Sequence, residues 1–324
     1  MKVSVVIPVF KVEAYLAACL DSILDQGFAT DEFEVIIVND GSPDNSKAIA
    51  LDYTSRHQNF IFVDQENQGV SVARSAGLDK ASGDYIAFID PDDTIYPNSL
   101  KPIVERAMRD DLDVLYLELD VFDEEGNFLH AVEKCGQDDV ILDGFAHPRR
   151  TYLSTLYKRA AIGDTRFKTG IIRGQDTVFN IMVQAMAKRC SYCSIPYYKY
   201  LQRGSSSRQF VGTERNFVSS LLAIETINDF RKTHFPNQTP QQKEYFDQSI
   251  LIFIQRTLEW NIFPHKSKKN FDALKEKLRA LGIGDLIPMT ARRFKMFDRS
   301  FGVFMAYRKL SGFYHGLLYK FAKK

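Results

Sequence analysis

The sequence predicts an α/β protein built on a mainly parallel β-sheet that is flanked by helices and followed by a helical C-terminal region. Two observations carry this prediction. Continuously apolar, β-branched segments alternate with segments that repeat apolar residues at helical spacing through the first 100 residues. The connections between them are short, and strands that alternate with helices in this way form βαβ units with parallel strands.

The first 100 residues contain four predicted strands and three predicted helices in alternation. The strands are predicted over residues 3–10, 33–38, 60–63 and 85–89. The helices are predicted over residues 15–24, 49–53 and 70–81. Because the strand segments are apolar without interruption, we expect helices to cover both faces of the sheet.

After residue 97 the alternation is less regular. The elements predicted there are a helix over residues 100–108, a strand over 114–121, a turn over 123–127, further short strands, a helix over 176–188 and a strand over 197–201. From about residue 214 the periodicity is helical, with breaks at residues 235–241 and 264–270. These patterns predict an α/β domain over residues 1–213 and a helical region over residues 214–324.

Composition and charge exclude several classes of protein. Lysine and arginine number 42 and aspartate and glutamate 41, so the net charge of +1 provides no general attraction to nucleic acid, and no recognition motif accompanies it. The four cysteines, Cys19, Cys135, Cys190 and Cys193, are too few for a disulfide framework in a chain of this length. The single CxxC lacks a second pair of zinc ligands, so we expect reduced, structural thiols.

No targeting or membrane-spanning segment is expected. The apolar run at the N-terminus stops at Pro8, which is too early for the apolar core of a signal peptide. Nowhere do 18 apolar residues follow one another, as a membrane-spanning helix requires. The sequence is therefore typical of a cytoplasmic protein.

Acidic residues follow the predicted strands at the edge of the sheet where ligands of parallel α/β proteins bind. Asp40 and Asp64 follow the second and third strands, and Asp90, Asp92 and Asp93 follow the fourth. Like charges in one tight turn are unfavourable unless a cation offsets them, and the intervening proline makes this turn stiff. The pattern fits a Mn²⁺ or Mg²⁺ site that combines one or two carboxylates with substrate phosphates. A solvated turn in which Asp93 caps the next helix fits the residues as well.

Four segments carry a resemblance to a known family. The strings SVVIPVFKVEAYL, VIIVNDGSPDNS, NQGVSVARSAGL and YIAFIDPDD occur in this order, each at a strand end or a helix start. Together they resemble the family 2 glycosyltransferases, which are inverting enzymes of the GT-A fold that use nucleotide-diphospho-sugars. The resemblance is specific through residue 100 and extends to about residue 210.

The resemblance implies an enzyme with a GT-A catalytic domain over residues 1–213. Residues 1–100 would form its nucleotide-binding half and residues 101–213 its acceptor-side half. The family also implies a UDP-sugar donor and a Mn²⁺ or Mg²⁺ ion. The expected acceptor is a hydroxyl of a glycan or of a lipid-linked molecule in the synthesis of a bacterial surface polysaccharide.

The first two strand ends resemble the part of the family's site that holds the base and the ribose. Pro8, Val9 and Glu13 match the loop after the first strand, and Asp40 matches the aspartate that accepts a hydrogen bond from uracil. The residues themselves leave alternatives open. Asp40 is also typical of a turn or helix cap, and Glu13 of an acidic residue in the first turn of a helix.

The third and fourth strand ends resemble the part of the site that closes over the nucleotide. Gly69 and Arg74 match the family's glycine and arginine, with Arg74 in reach of base or phosphate. Asp90 and Asp92 match the DxD pair, one directed to the ribose and one to the metal, with Asp93 beside them. The sequence does not determine which carboxylate holds the metal. A solvated helix arginine is the alternative for Arg74.

The catalytic base is expected at Asp176. An acceptor hydroxyl is a poor nucleophile and needs a carboxylate within hydrogen-bond reach. Residues 153–183 resemble the family's acceptor-side region, which ends in Glu-Asp before a helix; Asp176 matches that aspartate, and Gln175 stands where the family has glutamate. A helix N-cap is the alternative role of Asp176. Arg203, in the polar segment 203–208, resembles a phosphate contact, and a loop arginine without a partner is its alternative.

The C-terminal residues 292–324 are basic and aromatic, with nine lysines and arginines against one acidic residue. Phe294, Phe297, Phe301 and Phe304 fall on one stripe of a helix. Such a helix suits the surface of an anionic membrane and would hold the protein peripherally on the inner face of the cell membrane. The same stripe also suits packing on the catalytic domain.

Rival functions differ from the glycosyltransferase in particular features of the sequence. A nucleotidyltransferase favours a Gly-rich loop with lysine or arginine after the first strand, and the string PVFKVEAY lacks one. A dinucleotide oxidoreductase requires a GxGxxG at the same place, which is also missing. A sugar-nucleotide-binding partner subunit that has lost its chemistry remains open because of Gln175.

Overall fold

The structure of the protein is a computed structural model, which describes residues 3–132, 138, 140–145, 153–204, 213–262, 265 and 267–286. The chain divides into two compact units. The first comprises Met1–Thr169 and Gln175–Ser207, and the second comprises Gly170–Gly174 and Arg208–Lys324. The predicted basic tail over residues 292–324 and Cys135 lie outside the described residues.

One mixed β-sheet organises the first unit. Its strands within the described residues are β1 (Val3–Val9), β2 (Phe33–Asp40), β3 (Phe60–Gln65), β4 (Tyr85–Phe88), β5 (Thr94–Ile95), β6 (Val114–Phe122), β7 (Phe128–Val132), β8 (Thr155–Lys158) and β9 (Cys190–Leu201). They follow the order β3-β2-β1-β4-β8-β6-β9-β5, and β7 pairs with β6. The first four strands are parallel, and β8 lies antiparallel between β4 and β6. The predicted α/β class is confirmed, and the departures from a uniformly parallel sheet are β5, β7 and β8, which run antiparallel to the strands they pair with.

Apart from one four-residue helix, the helices of the first unit lie where the periodicity predicts them. Those of the first unit are α1 (Leu16–Leu24), α2 (Ser46–Arg56), α3 (Val70–Lys80), α4 (Leu100–Arg109), the short α5 (Arg159–Ile162) and α6 (Gln175–Met186). All elements predicted for the first 100 residues are present, and their bounds differ by a few residues. Helix α2 is longer than predicted because its ends carry polar residues, which show no apolar period.

The core of the sheet depends on close packing of α3. Strands β1, β2 and β4 are buried along their whole length. Gly77 of α3 lies so close to the sheet that a Cβ there would collide with the side chains of Val6 and Val38. This approach places the first turns of α3 beside the carboxyl ends of the parallel strands. The described cysteines, Cys19, Cys190 and Cys193, are buried and free in this unit.

Strand β9 is tied to the turn that follows β4. The Tyr198 hydroxyl donates to Asp93 Oδ2 at 2.8 Å and accepts the N–H of Asp90 at 3.0 Å. The N–H of Leu201 donates to Asp93 Oδ1 at 2.7 Å. Because Asp93 is only 1% exposed, these bonds replace the water that its carboxylate would otherwise bind. The tie therefore fixes the turn against β9.

The second unit is helical. Its described helices are α7 (Glu214–His234), α8 (Pro240–Thr257) and α9 (Lys268–Ala280), with a π-helical turn over Leu258–Ile262. Helix α8 begins with a capping box in which Thr239 and Gln242 satisfy each other's backbone N–H groups. The observed breaks between these helices fall where the sequence predicts them. Within the described ranges, no helix combines the length and apolar character needed to cross a membrane.

Replacement of Gly77 by alanine tests the packing of α3. We expect Gly77→Ala to lower the free energy of unfolding by about 1–3 kcal/mol, because the added methyl group must displace Val6 or Val38 in a packed core. Gly204→Ala is the matched control, since no atom of the described residues lies within 4 Å of the place its Cβ would take. Urea unfolding followed by circular dichroism measures both, and equal stabilities would contradict the close approach.

A neighbouring pair of tyrosines tests the tie between β9 and the turn. We expect Tyr198→Phe to lower the free energy of unfolding by about 1–3 kcal/mol, because buried Asp93 loses a hydrogen-bond donor. Tyr197→Phe is the control, because the buried hydroxyl of Tyr197 has no hydrogen-bond partner in the described part of the chain. Removal of this hydroxyl should leave the free energy of unfolding unchanged or raise it slightly. A similar loss in both variants would count against the tie.

Candidate functional site

An arginine of α3 is paired with the first carboxylate after β4. Arg74 Nη2 lies 2.8 Å from Asp90 Oδ1, and the two side chains are 5% and 25% exposed. The guanidinium of Arg74 also lies 5.5 Å from the ring centre of Phe167. The alternative of a solvated helix arginine is therefore wrong. Asp90 keeps enough exposure for a ligand to reach its carboxylate.

Asp92 is paired with an arginine that follows β9. Arg203 Nη2 lies 2.5 Å from Asp92 Oδ2, and its guanidinium lies 5.1 Å from the ring centre of Tyr15. Burial raises the pKa of Asp92, the charge of Asp90 raises it further, and Arg203 opposes both effects. Ionised Asp92 therefore gains from a nearby cation. The alternative of a loop arginine without a partner is wrong for Arg203.

Asp93 faces the protein interior behind the other two carboxylates. Burial raises the pKa of Asp93 well above its ordinary value, and the charges of Asp90 and Asp92 add to this effect. Both oxygens of Asp93 are bonded to β9, and Ser99 is the residue that precedes α4 at its N-cap. The alternative that Asp93 caps the next helix is therefore wrong.

Asp40 holds the loop that leads into α3. Its Oδ1 accepts the side-chain amide of Gln65 at 2.7 Å and the N–H of Gln68 at 2.9 Å. Its Oδ2 accepts the N–H of Gly69 at 2.9 Å, at the N-cap of α3. Gly69 has a φ of 89°, which favours glycine. Asp40 thus caps no helix by its side chain; it is buried and fixes the N-cap residue of α3 from across the sheet edge.

The residues after β1 contact the loop between β2 and α2. Glu13 Oε2 accepts the N–H of Asn45 at 2.7 Å, and the N–H of Glu13 donates to Asp44 Oδ2 at 3.1 Å. Asn45 is the N-cap of α2, so Glu13 stabilises the start of α2 and is not an acidic residue of the first turn of α1. Pro8 and Val9 are buried at the end of β1. Their contacts with a base or ribose stay predictions.

Asp176 lies in the first turn of α6, which begins at the preceding residue. It is therefore not the N-cap of that helix. One turn further on, Phe179 stacks on Phe167 with ring centres 4.0 Å apart and meets Phe88 edge-on at 5.7 Å. Phe88 is the last residue of β4. The aromatic cluster thus holds the start of α6 against the strand that ends at the carboxylates.

Three residues that support the site do not appear among the candidates from sequence. Tyr198 holds Asp93, Gln65 holds Asp40, and Phe167 lies against Arg74. Each of these residues is distant along the chain from the site residue that it contacts, so no local sequence spacing reveals the contact. A weak signal was present for Tyr198, because a tyrosine on a buried strand usually needs a partner for its hydroxyl.

The carboxylates of Asp90 and Asp92 are hard oxygen ligands of the kind that Mn²⁺ and Mg²⁺ bind. Among the described residues, no group of three His, Cys, Asp or Glu side chains is arranged as a metal site. Mg²⁺ commonly takes one or two carboxylates and completes its ligands with substrate phosphates and water. The residues present therefore fit an ion that arrives with a nucleotide diphosphate.

Comparisons with protein families and with known proteins agree on one family. Residues 4–174, more than half of the chain, match the family described as Glycosyl transferase family 2. The chain is 30% identical over 229 residues to glycosyltransferase GlyA of Streptococcus pneumoniae serotype 4, covering 66% of this chain and 32% of GlyA. It is 27% identical over 272 residues to the minor teichoic acid biosynthesis protein GgaB of Bacillus subtilis, covering 80% of this chain and 29% of GgaB. The chain thus spans about a third of the length of these two relatives.

The fold is also similar to a solved structure. The crystal structure of Staphylococcus aureus TarS 1–349 in complex with UDP-GlcNAc matches with a TM-score of 0.71 and 22% identity, covering 95% of this chain and 92% of that chain. This likeness shows the fold, and it agrees with the predicted GT-A arrangement of a sheet, flanking helices and C-terminal helices. The acidic turn after β4, together with Arg74 and Asp40, lies within residues 4–174, which match the glycosyl transferase family. The chain belongs to glycosyl transferase family 2.

Proposed function

We propose that the protein is an inverting, metal-dependent glycosyltransferase that moves a sugar from a UDP-sugar to a hydroxyl of a glycan or lipid-linked acceptor. One observation carries the proposal. Asp90 and Asp92 stand at the carboxyl end of β4, and each is compensated by a separate arginine, Arg74 and Arg203. Carboxylates and cations so arranged provide acceptors for ribose hydroxyls, ligands for a divalent ion and donors for phosphate oxygens.

Similar proteins support the substrate class. The TarS structure contains UDP-GlcNAc, and TarS is a poly(ribitol-phosphate) beta-N-acetylglucosaminyltransferase. GgaB is a minor teichoic acid biosynthesis protein. By extension, we infer a hexosyl-type donor linked to UDP and a role in the synthesis of a bacterial surface polysaccharide. The uracil would donate its N3–H to Asp40 Oδ2, which accepts one hydrogen bond from Gly69.

The proposed reaction breaks the bond between the anomeric carbon and the diphosphate and forms a bond from the acceptor oxygen on the opposite face. Asp176 accepts the proton of the acceptor hydroxyl as general base. Asp92 and Asp90 would hold Mn²⁺ or Mg²⁺, which would neutralise the charge that develops on the departing UDP. Arg203, once it exchanges Asp92 for a phosphate oxygen, adds a hydrogen-bonded cation at the same place.

A sugar-nucleotide-binding partner subunit without catalysis is the second candidate. The observation that favours it is Gln175, which replaces the glutamate that the family pattern has before the catalytic aspartate. Its Oε1 is buried and has no hydrogen-bond partner among the residues that the structure describes. In this reading the donor site binds UDP-sugars, and α6 contributes no base.

Nucleotide release from UDP- and GDP-sugars, screened with Mn²⁺ and a panel of glycan acceptors, tests the proposal. We expect Asp176→Asn to bind UDP as wild type does and to lose turnover by about 100-fold or more, the contribution of a general base. Asp92→Asn should lose metal-dependent UDP binding. Asp52→Asn is the control, because Asp52 forms an exposed ion pair with Arg56 on α2.

The outcomes separate the two candidates. Wild-type turnover in Asp176→Asn would refute the base assignment. UDP binding without release from any donor would favour the partner subunit. Metal-independent UDP binding that Asp92→Asn leaves unchanged would refute the role of the acidic turn.

A further inference from the structure

A cavity of about 310 Å³ opens beside Asp92 in the first unit. It lies among α1, β5, β9 and the β6–β7 hairpin, and the residues that matter for its chemistry are Tyr15, Asp92, Phe122, Asp123, Glu124 and Lys199. Its volume is at the lower end of the range for small-molecule sites, about 300–1,000 Å³. Asp92 belongs to the donor site described above and Tyr15 lies against Arg203 there, whereas the other four residues have no role in that site.

Lys199 is the lysine among the residues that line this cavity, and within the described residues it forms no ion pair. Its ammonium lies 4.3 Å from the ring centre of Tyr96 and 5.9 Å from that of Phe122. The nearby Asp120 carboxylate accepts the hydroxyl of Tyr96 at 2.7 Å. The two rings therefore hold a half-buried ammonium whose N–H donors remain available at the cavity.

The three carboxylates that line the cavity already have hydrogen-bond or ionic partners within the protein. Asp123 accepts two backbone N–H groups and the side-chain amide of Asn127 within its own turn. Glu124 Oε1 accepts the N–H of Gly204 at 2.9 Å. Asp92 is paired with Arg203. These oxygens keep lone pairs for hydroxyl donors, and the negative charges of Asp123 and Glu124 disfavour a diphosphate in this cavity.

A cavity with an ammonium donor, carboxylate acceptors and aromatic walls suits a neutral polyhydroxyl ligand. Each sugar hydroxyl both donates and accepts, so it can use Lys199 and Glu124 together. The rings of Tyr15 and Phe122 offer apolar surface to the C–H groups of a sugar. We propose that this cavity is a saccharide subsite that binds a neutral sugar unit of the acceptor, next to the donor site at Asp92. This inference rests on the proposed function.

Saturation-transfer NMR with methyl glycosides of glucose, galactose and N-acetylglucosamine tests the subsite on the full chain. The measurement is made with UDP and Mg²⁺ present, so that the donor site is filled. We expect transfer to at least one glycoside in the wild type, and a dissociation constant raised about tenfold or more in Lys199→Met, the loss expected for a charged hydrogen-bond donor. Lys101→Met is the control, because Lys101 lies 5.8 Å from the ring centre of Phe28 and does not line the cavity.

Glu124→Gln distinguishes a neutral sugar from an anionic ligand. The amide oxygen can still accept the N–H of Gly204, so the hairpin keeps its contact while one charge is removed. A neutral glycoside should bind this variant within about threefold of wild type. An anionic ligand would gain affinity from the loss of a negative charge, so binding of inorganic phosphate that Glu124→Gln strengthens would contradict a neutral ligand.

Several results would overturn the subsite. They are no transfer to any glycoside, transfer that UDP abolishes, unchanged binding in Lys199→Met, or phosphate binding that Lys199→Met removes. UDP binding, measured by calorimetry on the same protein preparations before UDP is added, reports on the proposed function separately. Normal UDP binding with no glycoside binding would refute the subsite alone, and absence of UDP binding would refute the donor site.

Discussion

The site depends on one electrostatic constraint, which is the placement of three carboxylates within four residues at the end of a buried strand. Like charges at this distance are tolerated only when each is compensated. Here, Asp90 is paired with Arg74, Asp92 with Arg203, and buried Asp93 with Tyr198 and Leu201. Compensation thus draws α3, β9 and the segment after β9 to the same edge of the sheet. The three carboxylates would be unstable without these partners. With them, the cluster connects the turn after β4 to α3 and to β9.

The two arginines differ in what they can do during a reaction cycle. Arg74 is 5% exposed and is packed against Phe167, so removing it would leave a charge in a buried place. Arg203 is 26% exposed and lies over Tyr15 at the mouth of the site. A partly exposed ion pair is weak enough to be exchanged for a ligand. Arg74 is therefore part of the fixed frame, and in the proposed function Arg203 is the cation that changes partner when a diphosphate binds.

The same edge of the sheet has two faces with different chemistry. Asp40, Arg74 and Asp90 fit a nucleotide, because they combine an acceptor for a base N–H with a cation–carboxylate pair. Lys199 and the acidic residues of the hairpin line a cavity with Asp92 and combine hydrogen-bond donors, acceptors and aromatic surface. Asp92 belongs to both regions. This position suits a reaction in which donor and acceptor must meet across one turn of the chain.

Much of this protein was determined by local sequence. Alternating strand and helix periods predicted the α/β class and the order of elements through β4, because the period of apolar residues reports directly which face of an element is buried. The positions of Asp40, Gly69, Arg74 and Asp90 at strand ends and helix starts followed from the same pattern. The antiparallel β8 did not, because a four-residue strand is too short to show a period.

Only the tertiary structure decided which charges meet. Asp92 and Arg203 are 111 positions apart, and Asp93 and Tyr198 are 105 apart, so nothing in local spacing could pair them. It also decided that Glu13 stabilises α2 and that Asp93 is turned inward. Sequence by itself specified the acidic turn and its place after a buried strand, since both are local properties. The partner of each carboxylate was left to the packing of distant elements, because charge compensation acts through space and not along the chain.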